Sequence, residues 1–219
     1  MDVAKIRERF PILNREVGGK KLVYLDNTAT SQTPHRVVAD IMQLYENTKA
    51  NVHRGVHTLS QEATELQEKT RRHVRDFINA ASEEEVIFTR GTTEAINLVA
   101  ASYGDRFHDG DEIILSVMEH HANIVPWQLL QRHKDIKLRV VDIDSRGMLD
   151  LDQYRSYFNE RTVMAAFCPV SNVLGTGEGD DSGSPQPRRA GAGRRSPGVA
   201  PPEDRRARPR LRFLRLLVA

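Results

Sequence analysis

The sequence predicts an α/β protein with a mostly parallel, doubly wound sheet and flanking helices. From Val86 onward, short apolar runs of strand type alternate with helix-forming stretches, and parallel neighbours require such crossovers. Three polar clusters, Gly91-Thr92-Thr93, Glu119 to Asn123 and Ser171-Asn172, each follow a predicted strand, and open α/β sheets gather ligands at the carboxyl ends of strands.

The elements follow in order. Met1 to Lys20 reads as an arm, a short helical pattern with Ile6 and Phe10 stopped by Pro11 and by the Gly18-Gly19 pair. Leu22 to Asp26 is a predicted strand leading into a polar loop, Asn27 to Gln32. Pro34 to Tyr45 places Val37, Val38, Ile41, Leu44 and Tyr45 at helical spacing. The loop ANVHRGVHTLS sets His53, Arg54 and His57 around Gly55, by itself a solvated charged stretch. Ser60 is the expected cap of a long helix ending at Asn79, with Ala63, Leu66, Val74, Phe77 and Ile78 as its inward stripe. Val86 to Phe88, Glu112 to Leu115, Lys137 to Ile143 and Thr162 to Phe167 are the predicted strands of the main sheet. Helices are expected from about Ile124 to Arg132 and from near Asp150.

Within Glu85 to Ala101, Gly91, Thr92 and Thr93 join an apolar strand run to a helix former. A helix start presents unpaired N–H groups and partial positive charge, which suits a phosphate. Gly91 lets backbone approach closely, and two threonine hydroxyls add donors. The same residues also suit Thr92 as a plain N-cap with Glu94 as a first-turn acid.

The 219 residues carry a formal charge of +2, yet Gly177 to Ala219 hold ten arginines and five acids, leaving the first 176 at net −3. The basic balance therefore belongs to the tail, and residues 1–176 give nucleic-acid binding no support. Without a signal-like apolar segment or a run able to span a bilayer, the expectation is a soluble cytoplasmic protein that does not enter the membrane. One cysteine, Cys168, in a predicted buried strand, excludes a disulfide framework and a cysteine metal cluster. His120 and His121 are adjacent and lack a suitably spaced third ligand, so no metal site is expected; one imidazole could instead stack on a ring-shaped cofactor.

Five stretches, YLDNTATSQTP, NVHRGVHTLS, FTRGTTEAINLVA, MEHHANIVPWQLL and PVSNVLGT, resemble in order and rough spacing the Suf-type cysteine desulfurases over about residues 1–176. The resemblance implies part of the large domain of a pyridoxal 5'-phosphate-dependent transferase of the aspartate aminotransferase-like, class V fold. Thr92 and Thr93 would hold the cofactor phosphate with Gly91 shaping the loop. His121 would stack on the pyridine ring and take part in proton transfer, the catalytic role. Asn172 would lie beside the cofactor's phenolic oxygen and the substrate, and His53 would approach the substrate or the neighbouring subunit's site. It further implies conversion of L-cysteine to L-alanine with an enzyme-bound persulfide, a sulfur-acceptor protein of iron–sulfur assembly, and a homodimer in the intact family. A selenocysteine lyase, an epimerase or another enzyme of the same fold is the alternative. Thr28, where the family commonly has Ala, is a mild departure.

The family's Ser-Gly-His-Lys motif, its preceding Asp and its nucleophilic cysteine do not occur in these 219 residues. From Gly177 the text turns rich in Arg, Pro, Gly and Ala, which fits a basic nucleic-acid-binding arm or an aberrant tail. Codons for a family phrase, Ala-Leu-Asp-Cys-Asp-Phe-Tyr-Ala-Phe-Ser, read one nucleotide out of frame, can encode Pro-Arg-Leu-Arg-Phe-Leu-Arg-Leu-Leu, the text of Pro209 to Leu217. The expectation is a frame change near Gly175 to Gly177, a truncated and inactive desulfurase, and a disordered 177–219 with a short helix at Leu211 to Val218.

Overall fold

The computed structural model describes residues 2–168 and 170–175, together with the backbone of Arg212–Phe213. The chain divides into two compact units, Met1–Ile87 and Phe88–Ala219.

In the first unit, α1 (Val3–Arg7) is capped by Asp2, whose carboxylate accepts from the Lys5 N–H at 3.2 Å. Strands β1 (Glu16–Val17) and β2 (Lys20–Lys21) form an antiparallel hairpin. Gly18 and Gly19 turn it at φ 59° and 73°, the pair of positive angles that a tight two-residue turn demands. Arg7 Nη2 donates to the Leu13 and Leu22 carbonyls at 2.7 and 2.6 Å, which folds the arm back on the segment after β2. Helix α2 (His35–Gln43) runs on into a π-helical turn, Leu44–Thr48. Helix α3 (Thr58–Ile78) ends where Asn79 takes the left-handed conformation at φ 56°.

Several expectations for this unit are corrected. Leu22 to Asp26 is not a strand: the Leu22 N–H donates to the Arg15 carbonyl at 2.9 Å, but no described strand pairs with the segment, and Val23 and Leu25 are exposed. Alternating apolar residues create strand propensity, but a ladder needs a partner. The cap of α3 is His57, whose Nδ1 accepts from the Ser60 N–H at 3.3 Å, while Ser60 lies buried inside the helix. Of the expected inward stripe Ala63 is buried and Val74 half-buried, whereas Leu66, Phe77 and Ile78 are exposed. Helical periodicity identifies an apolar face without deciding what covers it.

The second unit contains α4 (Thr92–Ser102), β3 (Glu112–Ser116), α5 (Val125–Leu130), β4 (Lys137–Val141), α6 (Leu151–Ser156), β5 (Thr162–Ala165) and β6 (Arg212–Phe213). The strands order β4-β3-β5-β6, every neighbouring pair parallel. All of β3 is buried, as expected for a central parallel strand covered on both faces. Its pleat sends Ile113 and Leu115 into a core with Ile96 and Ala100 of α4, Trp127 of α5 and Met164 of β5. Ile114 faces the other way, against Val141, Tyr154 of α6 and Ala165. Each such buried aliphatic side chain contributes roughly 1.5 to 3 kcal/mol. Tyr154 adds edge-to-face contacts with Phe158 and Phe167 at 4.8 and 5.2 Å.

Val86 to Phe88, expected as a strand, is not assigned as one, and Ile87 and Phe88 are exposed. β5 stops at Ala165, so Cys168 lies beyond the strand rather than within it. Within the stretch expected as a short helix at Leu211 to Val218, only Arg212–Phe213 is described, and it is a strand whose backbone pairs with Met164 and Ala165, since the sheet edge offers partners that local helix propensity cannot foresee. The other expectations for 177–219 lie outside the described residues. Among those described, no helix is long and apolar enough to cross a membrane.

Candidate functional site

The first cluster is the start of α4. Its cap residue is Gly91, at φ 155° and ψ 177°, a backbone region that glycine occupies almost alone. Thr92 is therefore the first helical residue rather than the cap. Glu94 turns back on the loop, accepting from the Arg90 N–H at 2.6 Å and from its guanidinium at 3.2 and 3.3 Å. That hydrogen-bonding guanidinium, with the Arg90 N–H, holds the Glu94 carboxyl below the usual carboxylate range. Because Gly91 offers no side chain and Glu94 is engaged with Arg90, the first-turn N–H groups face the helix end with no side-chain cap. The half-buried Thr92 and exposed Thr93 place hydroxyls at the same end. Such an end, with fixed dipoles and several donors, suits an anion such as a phosphate.

The second cluster follows β3. Glu119 is buried, and its two oxygens accept from Ser116 Oγ at 2.6 Å, Asn123 Nδ2 at 2.8 Å and the Cys168 N–H at 3.0 and 2.9 Å. Asn123 Nδ2 also donates to the Ala166 carbonyl at 3.2 Å, and its Oδ1 accepts from Trp127 Nε1 at 3.2 Å. This network fixes a 3₁₀ turn, His121–Asn123, whose cap is His120: its Nδ1 accepts from the Ala122 N–H at 3.1 Å. The two adjacent imidazoles thus divide their work. His120 closes the turn, and His121, its first residue, is exposed. Their ring centroids lie 6.1 Å apart at an interplanar angle of 50°, so the rings do not stack face to face on one another. Among the described residues, no group of three or more His, Cys, Asp or Glu is set to hold a metal ion.

The third cluster follows β5. Buried Ser171 accepts from the Val173 and Leu174 N–H groups at 3.3 and 3.1 Å, and its carbonyl accepts from Gly175 N at 2.9 Å, closing a turn on which Asn172 is exposed. Cys168 Sγ donates to the Val170 carbonyl at 2.9 Å, and burial pushes its thiol up from the ordinary value, opposite to what an activated nucleophile needs.

His53 belongs to the other unit. Its backbone is left-handed, at φ 66°; its N–H donates to Thr64 Oγ1 at 3.0 Å, and its Nε2 lies 3.2 Å from Glu68 Oε1. The surrounding loop is drawn onto α3 by Ser60 Oγ, which donates to the Asn51 carbonyl at 2.5 Å and accepts from the Gly55 N–H at 3.0 Å.

Within the second unit, His121 and Asn172 follow the carboxyl ends of the neighbouring strands β3 and β5, and α4 packs against the His121–Asn123 turn. The candidate residues Gly91, Thr92, Thr93, His121 and Asn172 thus stand on connected segments. Glu119 and Asn123 received no individual role from the sequence, although Ser116, Glu119, Asn123 and Trp127 recur at the three- and four-residue spacing of a shared face.

A family model described as Aminotransferase class-V matches residues 23–180. A probable cysteine desulfurase of Staphylococcus aureus is 50% identical over 175 residues, covering 80% of this chain and 42% of that protein. A cysteine desulfurase of Synechococcus elongatus is 47% identical over 176 residues, 80% of this chain and 28% of its own length. The apo structure of cysteine desulfurase from Thermococcus onnurineus NA1 matches with a TM-score of 0.73 at 40% identity, covering 80% of this chain and 42% of that one. The chain therefore spans less than half the length of these relatives. Its parallel sheet with helices on both faces is part of an aminotransferase-like fold.

Proposed function

Because the chain belongs to the class-V aminotransferase family, we propose that it carries the phosphate- and ring-contacting part of a pyridoxal 5'-phosphate site of a Suf-type cysteine desulfurase. The reaction is conversion of L-cysteine to L-alanine, with the sulfur passed to an acceptor protein for iron–sulfur cluster assembly. The observation that carries this reading is the start of α4, where a glycine at φ 155° leaves a helix end without a side-chain cap beside two threonine hydroxyls, on a chain half identical to a probable desulfurase over 175 residues.

The residues present fit the cofactor chemically. Gly91, Thr92 and Thr93 would bind its phosphate through N–H and hydroxyl donors. His121 would offer the face of its imidazole to the ring and a nitrogen to a migrating proton, because His120 already serves the turn. Asn172, exposed on the turn after β5, would orient ring and substrate through its amide, and His53 would serve the substrate. When bound, pyridoxal phosphate supplies an electron sink that the side chains lack. A cytoplasmic homodimer and a changed reading frame near Gly175 to Gly177 belong to the same proposal, the latter tested by sequencing the gene and its downstream bases.

The test compares sulfide release from L-cysteine by the 219-residue chain and by a version continued in frame through a Ser-Gly-His-Lys motif. The expected result is weak, noncovalent cofactor binding by the first and cysteine-dependent turnover by the second. Thr93→Ala should weaken cofactor retention in the second, and His121→Ala its turnover. A continued protein that binds no pyridoxal phosphate would sink the reading, and preference for selenocysteine would redirect it to a lyase.

A further inference from the structure

We infer that Glu119 is a positioning residue that locks the His121 turn and the Asn172 segment to each other; the inference rests on the proposed site. The carboxylate lies between two chain segments separated by 49 residues, taking a hydrogen bond from Cys168 N–H on one side and from Ser116 and Asn123 on the other. Every one of these partners donates, so both oxygens serve as acceptors and no partner can be replaced by a donor group on residue 119. Asn123 repeats the bridge by reaching the Ala166 carbonyl, and it is itself held by Trp127, which has no exposed surface. A buried, fully hydrogen-bonded network of this kind rigidifies what it joins. It joins the last residue of β3 and the residues just after β5 to the loops that carry His121 and Asn172, while α4's start is held separately by Gly91, Arg90 and Glu94. Loss of the carboxylate should therefore disturb the ring-contacting loops and spare the phosphate-binding helix end.

Glu119→Gln tests this in the full chain, since its amide cannot accept at both positions. Hydrogen exchange should rise together, about tenfold or more, in segments 117–124 and 166–175, and stay unchanged in 92–102. In the same protein, affinity for pyridoxal phosphate should fall roughly tenfold while affinity for glycerol phosphate, which lacks a ring, stays constant. Combining Glu119→Gln with His121→Ala should add no further loss of cofactor affinity. Ser116→Ala, which removes one donor, should give the same paired exchange pattern at smaller amplitude and decides the matter if Glu119→Gln fails to fold. Uniform exchange across all three segments, a change in only one loop, or no change would overturn the inference. A parent chain with no preference for pyridoxal phosphate over glycerol phosphate would overturn the proposed site, and the exchange measurement would still decide the coupling.

Discussion

Glu112 and Arg139 meet across neighbouring parallel strands through a two-point contact, Arg139 Nε to Glu112 Oε2 at 3.0 Å and Nη2 to Oε1 at 2.7 Å. Asn159 Nδ2 adds a third donor to the same carboxylate at 2.8 Å. This carboxyl, on buried β3, is held below the usual range chiefly by the Arg139 guanidinium. A carboxyl whose folded-state pKa is lowered contributes stability above its unfolded pKa, and that contribution is lost as pH falls through the folded value. Unfolding midpoints measured from neutral to acid pH should fall less steeply for Glu112→Gln than for the parent. Arg139→Met, which strands the carboxylate, should cost about 1 to 3 kcal/mol, toward the lower end because the Arg139 side chain is 43% exposed.

Gly91→Ala should destabilise the chain by about 1 to 3 kcal/mol through backbone strain. A Cβ there meets nothing within 4 Å, so the cost is conformational rather than steric. If the residue relieves its strain by moving, the start of α4 shifts and phosphate affinity falls. Thermal melts and phosphate titration read the two effects, and an unchanged melt together with unchanged affinity would remove Gly91 from the account.

The loop around His53 depends on a close approach. A Cβ on Gly55 would stand 2.5 Å from both Cβ and Oγ of Ser60. Gly55→Ala should therefore push the loop off α3, with loss of the Gly55 and Asn51 bonds to Ser60 and a cost of about 1 to 3 kcal/mol. Denaturant titration checks the energy, and NMR shifts at His53 and Thr64 check the displacement.

Lys134 Nζ donates to the carbonyls of Gly104, Asp105 and Phe107 at 2.9, 2.8 and 2.9 Å, tying the loop after α4 to the loop before β4. Lys134→Met keeps most of the stem and removes the donors, so a loss of about 1 to 2 kcal/mol is expected with the fold retained. Circular dichroism during denaturant unfolding would show it. A neutral result would mean that water replaces the ammonium at all three carbonyls.

Local chemistry in the sequence determined the periods, the turns and the candidate residues. Ile113 and Leu115 alternate with Ile114, and that two-residue period already assigns two faces to β3. Gly18-Gly19 and Gly91 mark positions where positive φ is required, and the ordered motifs name Thr92, Thr93, His121 and Asn172. Only the tertiary structure decided which strand-like runs found partners. Val23, Leu25 and Ile87 have the composition of strands but stand exposed outside any strand, because a ladder is a property of two segments and propensity is a property of one. It also decided that His57 rather than Ser60 caps α3, since Ser60 Oγ is committed to the Asn51 carbonyl in a preceding loop. Glu119 is the clearest case. Its meeting with Cys168 joins residues 49 apart, and no local pattern encodes a hydrogen bond that exists only after two parallel strands have been laid side by side.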